Sequence, residues 1–363
     1  MKTLRFGDGI PPAEECGCGL DHDRTLQAAV IAPLKESLGL LSSNSYAVFY
    51  DEVTFRVAGR FVVDFVDGEG FLVRAPTFSE AEEKAEKVKG FETIIGVGGG
   101  SVIDVAKYAA YKTGKTFISI PTAPSHDGIA SPTASLFDKG RRISIKTRAP
   151  VLALIDLDIM MDAPRILRAS GFGDIIAKIV SIKDWQLGRD EVGEPYCKTA
   201  ESCTLRAVRL VVEALSKPLS RRERIESLVE ALVYSGVAMM VAGSSRPASG
   251  SEHLFSHYLD MNLRHRAPHG IQCAIGALVM ARYHEIHNPG WWRRPEYGWR
   301  NIRRLMIEAG IPVSLAENGI PLEIAARALV EAAEIRPNRY TILHKRRPSL
   351  EEAIQLFREV GLL

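Results

Sequence analysis

The chain is poor in cysteine, in amide side chains and in net charge. Five cysteines in 363 residues are too few for the disulfide framework of a small secreted scaffold. Cys16 and Cys18 form a lone C-x-C with no second pair at zinc-ligand spacing, which reads as free thiols of a reducing compartment. Lys and Arg total 46 against 44 Asp and Glu, a formal charge of +2, so no general attraction to nucleic acid or to an anionic membrane is expected. The longest apolar stretch, Ala231–Ala242, is interrupted by Ser235 and Gly236 and is too short to cross about 30 Å of hydrocarbon, so stable membrane insertion is not expected. No apolar core of signal-peptide type follows Lys2 and Arg5, and a soluble cytoplasmic protein is expected. Asn and Gln together number ten, and 31 Arg stand against 15 Lys. That leans toward a thermophile or a GC-rich genome, which composition does not separate.

What is present is an ordinary globular composition, 46% hydrophobic and 25% charged, with length for about two domains. The first 160 residues alternate between strand and helix signals. Tyr46–Tyr50, Phe61–Val66, Phe91–Val97 and Thr116–Ile120 read as strands. Phe78–Gly90, with Ser79 as N-cap and Gly90 as its stop, and Ser101–Thr113 read as helices. This pattern predicts βαβ units and a mainly parallel sheet. Beyond about Asp162 the signals are helical: Ala177–Leu187, Cys197–Leu215, Arg221–Ala242, His269–His284, Trp299–Ala309, Pro321–Ala333 and Ser349–Val360. The last opens with a capping box, Ser349 and Glu352. No strand is expected after residue 160. The division expected is an α/β domain over 1–160 and an all-helical domain over 161–363.

The segment Gly96-Val97-Gly98-Gly99-Gly100-Ser101-Val102 joins a strand to a helix. Glycine lets backbone N–H groups approach a pyrophosphate closely, and the helix N-terminus adds unsatisfied donors. Ser101 stands where a G-x-G-x-x-G fingerprint has its third Gly. Asp104 and Lys107, one turn apart on the helix, read as a surface pair. A second loop, Pro121-Thr122-Ala123-Pro124-Ser125-His126-Asp127-Gly128 through Ser131, follows the next strand, where open α/β sheets bind ligands. Asp51 ends an upstream strand, in position for a ribose hydroxyl or for an ordinary turn.

In the second half, Asp174 lies just before or within a helix start, and His253 and His257 are i and i+4 on one helical face. His269 opens another apolar helix. One carboxylate and two imidazoles suit a catalytic Zn²⁺ or Fe²⁺ with an open position. Lys178, i+4 from Asp174, reads as a structural salt-bridge partner.

Read together, GVGGGSVIDVAKYAA, SIPTAPSHDGIASPTASL, GFGDIIAKIVSIKDW, SGSEHLFSHYLD and HRAPHGIQCAIGALV resemble archaeal-type sn-glycerol-1-phosphate dehydrogenase. That family sits within the group of glycerol dehydrogenases, iron-containing alcohol dehydrogenases and 3-dehydroquinate synthases. The resemblance runs in order over roughly residues 20–360, and S-H-D-G-I-A-S-P is its most specific piece. It implies a Rossmann-like nucleotide domain followed by a dehydroquinate synthase-like helical domain. It also implies a Zn²⁺-dependent, NAD(H)- or NADP(H)-linked interconversion of dihydroxyacetone phosphate and sn-glycerol 1-phosphate, the backbone of archaeal membrane lipids. Asp174, His253 and His269 are implied as the ligands of one zinc per subunit, and Asp127, Asp174 and His257 as substrate contacts that carry the catalysis. Gly98, Gly99, Gly100, Ser101, Val102, Thr122, Ala123, Pro124, Ser125 and Ser131 are implied to hold the nucleotide, with Asp51 a ribose contact. A homo-oligomer is expected, because helical second domains in this group often pair.

Asp51 would repel a 2′-phosphate while nearby Arg56 would accept one, so NAD and NADP are not separated. For the substrate phosphate, Arg264, His265 and Arg266 are the candidates. His257 is the candidate proton relay, on an ordinary pKa of about 6.5. The alternative reading is a glycerol or other polyol dehydrogenase of the same group. A dehydroquinate synthase is disfavoured, because that family's first metal ligand is Glu where this chain has Asp174.

Overall fold

The computed structural model describes residues 1–43, 45–139, 141–264 and 266–363. Among these, nine strands occupy the first part of the chain: β1 (Lys2–Arg5), β2 (Ala28–Ile31), β3 (Tyr46–Tyr50), β4 (Glu69–Leu72), β5 (Thr93–Gly98), β6 (Thr116–Pro121), β7 (Thr133–Asp138), β8 (Arg141–Lys146) and β9 (Leu152–Ile155). Seven make one sheet in the order β1-β2-β9-β6-β5-β3-β4. All its pairings are parallel except that of β1 with β2. β5 is buried along its whole length, as a strand covered on both faces must be. The chain steps outward from β3 to β4 on one side and from β5 to β6 on the other. The crevice at such a reversal opens at the carboxyl ends of the strands. β7 and β8 form a separate antiparallel hairpin, which carries no clear signal in the sequence.

Phe61–Val66 is helical, not the expected strand. Asp51 caps a helical turn at Glu52–Thr54, and the chain continues through Phe55–Gly59 into the helix Arg60–Val66. The run FVVDFV has no apolar–polar alternation, so nothing in it demands a strand. The outer strand is β4 instead, paired with β3. The following helix, Phe78–Lys87, is capped by Thr77 rather than Ser79, with the Glu80 amide donating to its Oγ1 at 3.2 Å, and it ends before Gly90.

No described residue after Ile155 is in a strand. The helices that matter most are Arg165–Val192, Lys198–Ser216, Arg221–Ala242, Ser251–Asn262 and His269–His287. The first starts well before Ala177 and carries Asp174 in its interior. Glycines 171 and 173 are tolerated there because side chains would collide: a Cβ on Gly171 would overlap the Pro124 carbonyl, and one on Gly173 the Gly270 carbonyl. Arg221–Ala242 is long and apolar enough to cross a membrane, yet 83% of its apolar window is buried in the protein. It is a core helix. At the C-terminus, Ser349 caps Leu350–Glu359 by accepting the Glu352 amide at 3.1 Å, but the expected reciprocal half is missing. The Glu352 carboxylate takes Arg346 at 2.7 Å, a charge-assisted bond that outcompetes a neutral amide. Complete capping boxes are found instead at Ser220 with Glu223 and at Asp51 with Thr54.

Candidate active site

A cavity of about 680 Å³ opens at the carboxyl ends of β3, β5 and β6. Asp51, Gly99, Gly100, Ser101, Thr122, Ala123 and Ser125 line it, so seven of the proposed nucleotide contacts share one wall. The helix Gly100–Thr113 presents its N-terminal turn there, where free N–H donors and the macrodipole favour a phosphate. Val53 and Val57, both exposed, add an apolar patch suited to a base. The other expected contacts do different work. Gly98 is packed so that a Cβ would meet Val102 at 2.5 Å, and Val102 is fully buried. Pro124 turns its carbonyl onto Gly171. These residues shape the turn and loop rather than line the cavity. Asp51 accepts the Val53 and Thr54 amides at 2.9 and 2.7 Å through Oδ1, so the helix cap and a place on the cavity wall belong to one side chain.

Asp104 and Lys107 are not a surface pair. Both are buried, 3.3 Å apart. Lys107 donates to the carbonyls of Gly128 and Thr133 at 2.8 and 2.9 Å, and Asp104 accepts the Ser135 amide at 3.1 Å. The pair ties the glycine-turn helix to the loop carrying Asp127. Burial pushes the Lys107 ammonium below its ordinary pKa despite Asp104.

The metal-ligand candidates stand on three helices, with His253 in contact with each of the other two. Asp174 Oδ1 is 3.7 Å from His253 Nε2, and the rings of His253 and His269 stand 5.1 Å apart, edge to face. Ligand atoms of His253, His269 and Cys273 lie within 4.8 Å of one another. Cys273, one turn after His269, was not foreseen, although i+4 spacing put it on the same face. Burial pushes its thiol pKa up. Each imidazole is oriented from behind. His253 Nδ1 meets Glu252 Oε1 at 2.7 Å, and that oxygen also accepts from Ser181 and from the Gly250 amide. His269 Nδ1 meets Ser256 Oγ at 3.2 Å, and Ser256 donates to Gln272. A carboxylate behind a ligating imidazole fixes its tautomer and raises its basicity. Glu252 too was overlooked, despite being adjacent to His253 in the sequence.

Lys178 does more than pair with Asp174. Its Nζ is 2.7 Å from Asp174 Oδ1, 3.1 Å from Asp127 Oδ2 and 3.0 Å from the Ala248 carbonyl. Asp127 also receives the Ser235 hydroxyl at 2.7 Å. Burial alone would raise the Asp174 carboxyl, but Lys178, with His253 and His269, holds it well below the usual carboxylate range. Lys178 is correspondingly raised: burial opposes its charge, and Asp127 and Asp174 outweigh burial. The donor set of one ionised carboxylate, two tautomer-fixed imidazoles and a nearby thiol fits a divalent cation of the zinc or iron type.

A smaller cavity of about 90 Å³ adjoins this cluster, lined by His253, His257, His269, Asp127, Arg142 and Arg336, among others. Ser131 lines this one and not the larger cavity, so it stands apart from the glycine turn. The expectation of a near-neutral pKa for His257 fails: burial, then the charges of Arg336, His253 and Arg142, push it well below its ordinary value. The ring is neutral at pH 7.

Of the basic triplet, Arg266 lines the larger cavity, with its guanidinium over Phe137 at 5.2 Å. Arg264 is exposed, and His265 lies outside the described residues. Arg142 and Arg336 were not anticipated. Arg142 lines both cavities, held by Ser135 at 2.6 Å and Asp260 at 3.3 Å. Arg336 donates to Ser144 Oγ at 3.1 Å. Arg56 is exposed and does not line the larger cavity.

Residues 25–164 match the family model described as iron-containing alcohol dehydrogenase. The chain is 41% identical over 320 residues to the NAD(P)+ glycerol-1-phosphate dehydrogenase of Sulfolobus acidocaldarius, covering 87% of this chain and 88% of that one. It is 40% identical to the enzyme of the same name from Pyrococcus horikoshii, over 87% and 90% of the two chains. In fold it is similar to glycerol dehydrogenase from Schizosaccharomyces pombe, with a TM-score of 0.71 at 21% identity over 92% and 88% of the chains. Sulfoacetaldehyde reductase from Bifidobacterium kashiwanohense, in complex with NAD+, gives a TM-score of 0.67 at 18% identity over 94% and 98%.

Proposed function

The chain belongs to the glycerol-1-phosphate dehydrogenase family, and on that premise we propose that it interconverts dihydroxyacetone phosphate and sn-glycerol 1-phosphate, using a nicotinamide dinucleotide. The observation that carries this reading to the present residues is that His269 lines both the larger cavity, with its glycine turn, and the smaller one, with its histidines and arginines. A dinucleotide and a small phosphorylated polyol would meet at that ring. Residues 1–160 serve as the nucleotide-binding part and 161–363 as the metal and substrate part, except that Asp127 and Arg142 reach across.

Amides of Gly99, Gly100 and Ser101 hold the dinucleotide pyrophosphate, and Thr122, Ala123 and Ser125 flank it. Asp174, His253 and His269 hold a zinc-type cation, which when bound supplies Lewis acidity toward the oxygen at C2 of the substrate. Asp127, fixed by Lys178 and Ser235, faces the substrate with its second oxygen. His257, neutral at pH 7, takes the C2 hydroxyl proton in the direction of ketone formation and returns it in the other. Arg142 and Arg336 bind the substrate phosphate, as two cations beside the imidazole cluster would.

The test is a chiral assay. Purified protein is given sn-glycerol 1-phosphate, sn-glycerol 3-phosphate or glycerol with each dinucleotide, and reduced nicotinamide is followed by absorbance. Turnover of the 1-phosphate alone is expected. Turnover of glycerol without the 1-phosphate would replace this reading with that of a polyol dehydrogenase.

A further inference from the structure

Away from the cleft, the N-terminal arm carries Cys16-Gly17-Cys18-Gly19, in which both glycines adopt left-handed φ, +65° and +70°. Side-chain-free residues at these two positions let the chain coil tightly enough to turn two neighbouring thiols toward one point. At that point stand His22, four residues on, and Cys197, the N-cap of the helix Lys198–Ser216 and 181 residues away from Cys16. Ligand atoms of Cys16, Cys18, His22 and Cys197 all lie within 4.8 Å of one another.

We propose that these four residues bind one structural divalent cation of the zinc class, a second ion per chain that is independent of the active site. Its geometry supports this. Cys16 Sγ and Cys197 Sγ are 3.7 Å apart, while His22 Nε2 is 3.1 Å from Cys18 Sγ and 3.4 Å from Cys197 Sγ. A tetrahedral ion with metal–sulfur bonds of about 2.3 Å sets its sulfurs about 3.8 Å apart. An iron–sulfur cluster would force the thiols wider, because its own sulfides lie between them.

The His22 tautomer is set for the task. Nδ1 is 2.8 Å from the Pro11 carbonyl, which can only accept, so Nδ1 carries the hydrogen and Nε2 offers its lone pair to the sulfurs. The thiolates have donors of their own: Thr199 Oγ1 is 3.3 Å from Cys16 Sγ, and the Ala200 amide donates to Cys197 Sγ at 3.4 Å. His22 and Cys197 are buried, and Cys16 and Cys18 are half-buried. Four protein ligands leave no open position, which marks a structural site rather than a catalytic one. The ion would staple the arm that carries β1 onto the helical part of the chain.

The experiment is metal analysis of the purified full-length protein beside its Cys18→Ser, His22→Ala and Cys203→Ser variants. Wild type and Cys203→Ser should carry one zinc equivalent more than Cys18→Ser and His22→Ala. Those two should keep the active-site equivalent and the turnover of a dehydrogenase, and melt at lower temperature. Since a ligand variant can fail to fold, wild type is also titrated with a mercurial thiol reagent, which should release one equivalent while dinucleotide binding survives. An unchanged metal count in both ligand variants overturns the proposal. So does a Cys16–Cys197 disulfide found by non-reducing peptide mapping in protein without the extra ion. Failure of the active-site reading would instead appear as absent turnover with the extra equivalent still lost in Cys18→Ser.

Discussion

The backbone amide of Asp127 donates to Oδ2 of Asp174 at 3.0 Å. The loop after β6 is thereby bonded to the carboxylate proposed as a metal ligand, and Lys178 bridges the two aspartates from the buried side. Asp174→Asn keeps the shape and removes the charge. We expect the active-site metal to be lost on dialysis and kcat/KM to fall by about 100-fold or more. Elemental analysis and the coupled dinucleotide assay check this, and full metal retention with full turnover would contradict it.

Lys178→Met tests the buried charge network. Asp174 is held below its unfolded value of about 3.9, so its contribution is complete above that pH and disappears as pH falls toward the depressed folded value. Lys178 is raised above its unfolded value of about 10.4, so its contribution is complete below that pH and is lost only as pH rises through the folded value. Removing the lysine should cost metal-free protein about 3–5 kcal/mol at pH 7. The difference from wild type should shrink on acidification, as the stranded Asp174 carboxylate takes up a proton. Denaturant titrations across pH 4–9 measure it, and a pH-independent difference would show that the lysine acts only by packing.

Glu252→Gln should weaken metal binding by about 10–100-fold without emptying the site, because the His253 tautomer loses its anionic partner but keeps an acceptor. Competition with a chromophoric chelator reads the affinity directly.

Arg336→Ala should raise KM for dihydroxyacetone phosphate about tenfold or more while leaving KM for the dinucleotide unchanged. Among the described residues no carboxylate pairs with this guanidinium within 4.0 Å, and burial alone acts on its charge, which is left for an anion. An unchanged phosphate-substrate KM would return attention to Arg266, which lines the other cavity.

Gly171→Ala should destabilise by about 1–3 kcal/mol, since the new methyl meets backbone at Pro124 rather than a movable side chain. The displaced Thr122–Ser125 loop should also raise KM for the dinucleotide. Thermal melts and steady-state kinetics separate the two effects.

The glycine turn, the i and i+4 histidines and the long helical second half were legible in the sequence, because each is written within a few residues: absent Cβ atoms, one helical period, a run of helix formers. Even so, local reading misplaced Phe61–Val66, which lacks a decisive period, and made Asp104 and Lys107 a solvated pair, because nothing local reports burial. Tertiary structure alone decided which distant groups share a point. Arg142 and Arg336 meet the histidines from either side of them in the sequence, and Cys197 completes a cluster begun 181 residues earlier. Such meetings depend on how closely backbones approach. Here that is set by the three glycines 171, 173 and 270, whose missing side chains let the loop after β6 and the His269–His287 helix close onto the helix of Asp174.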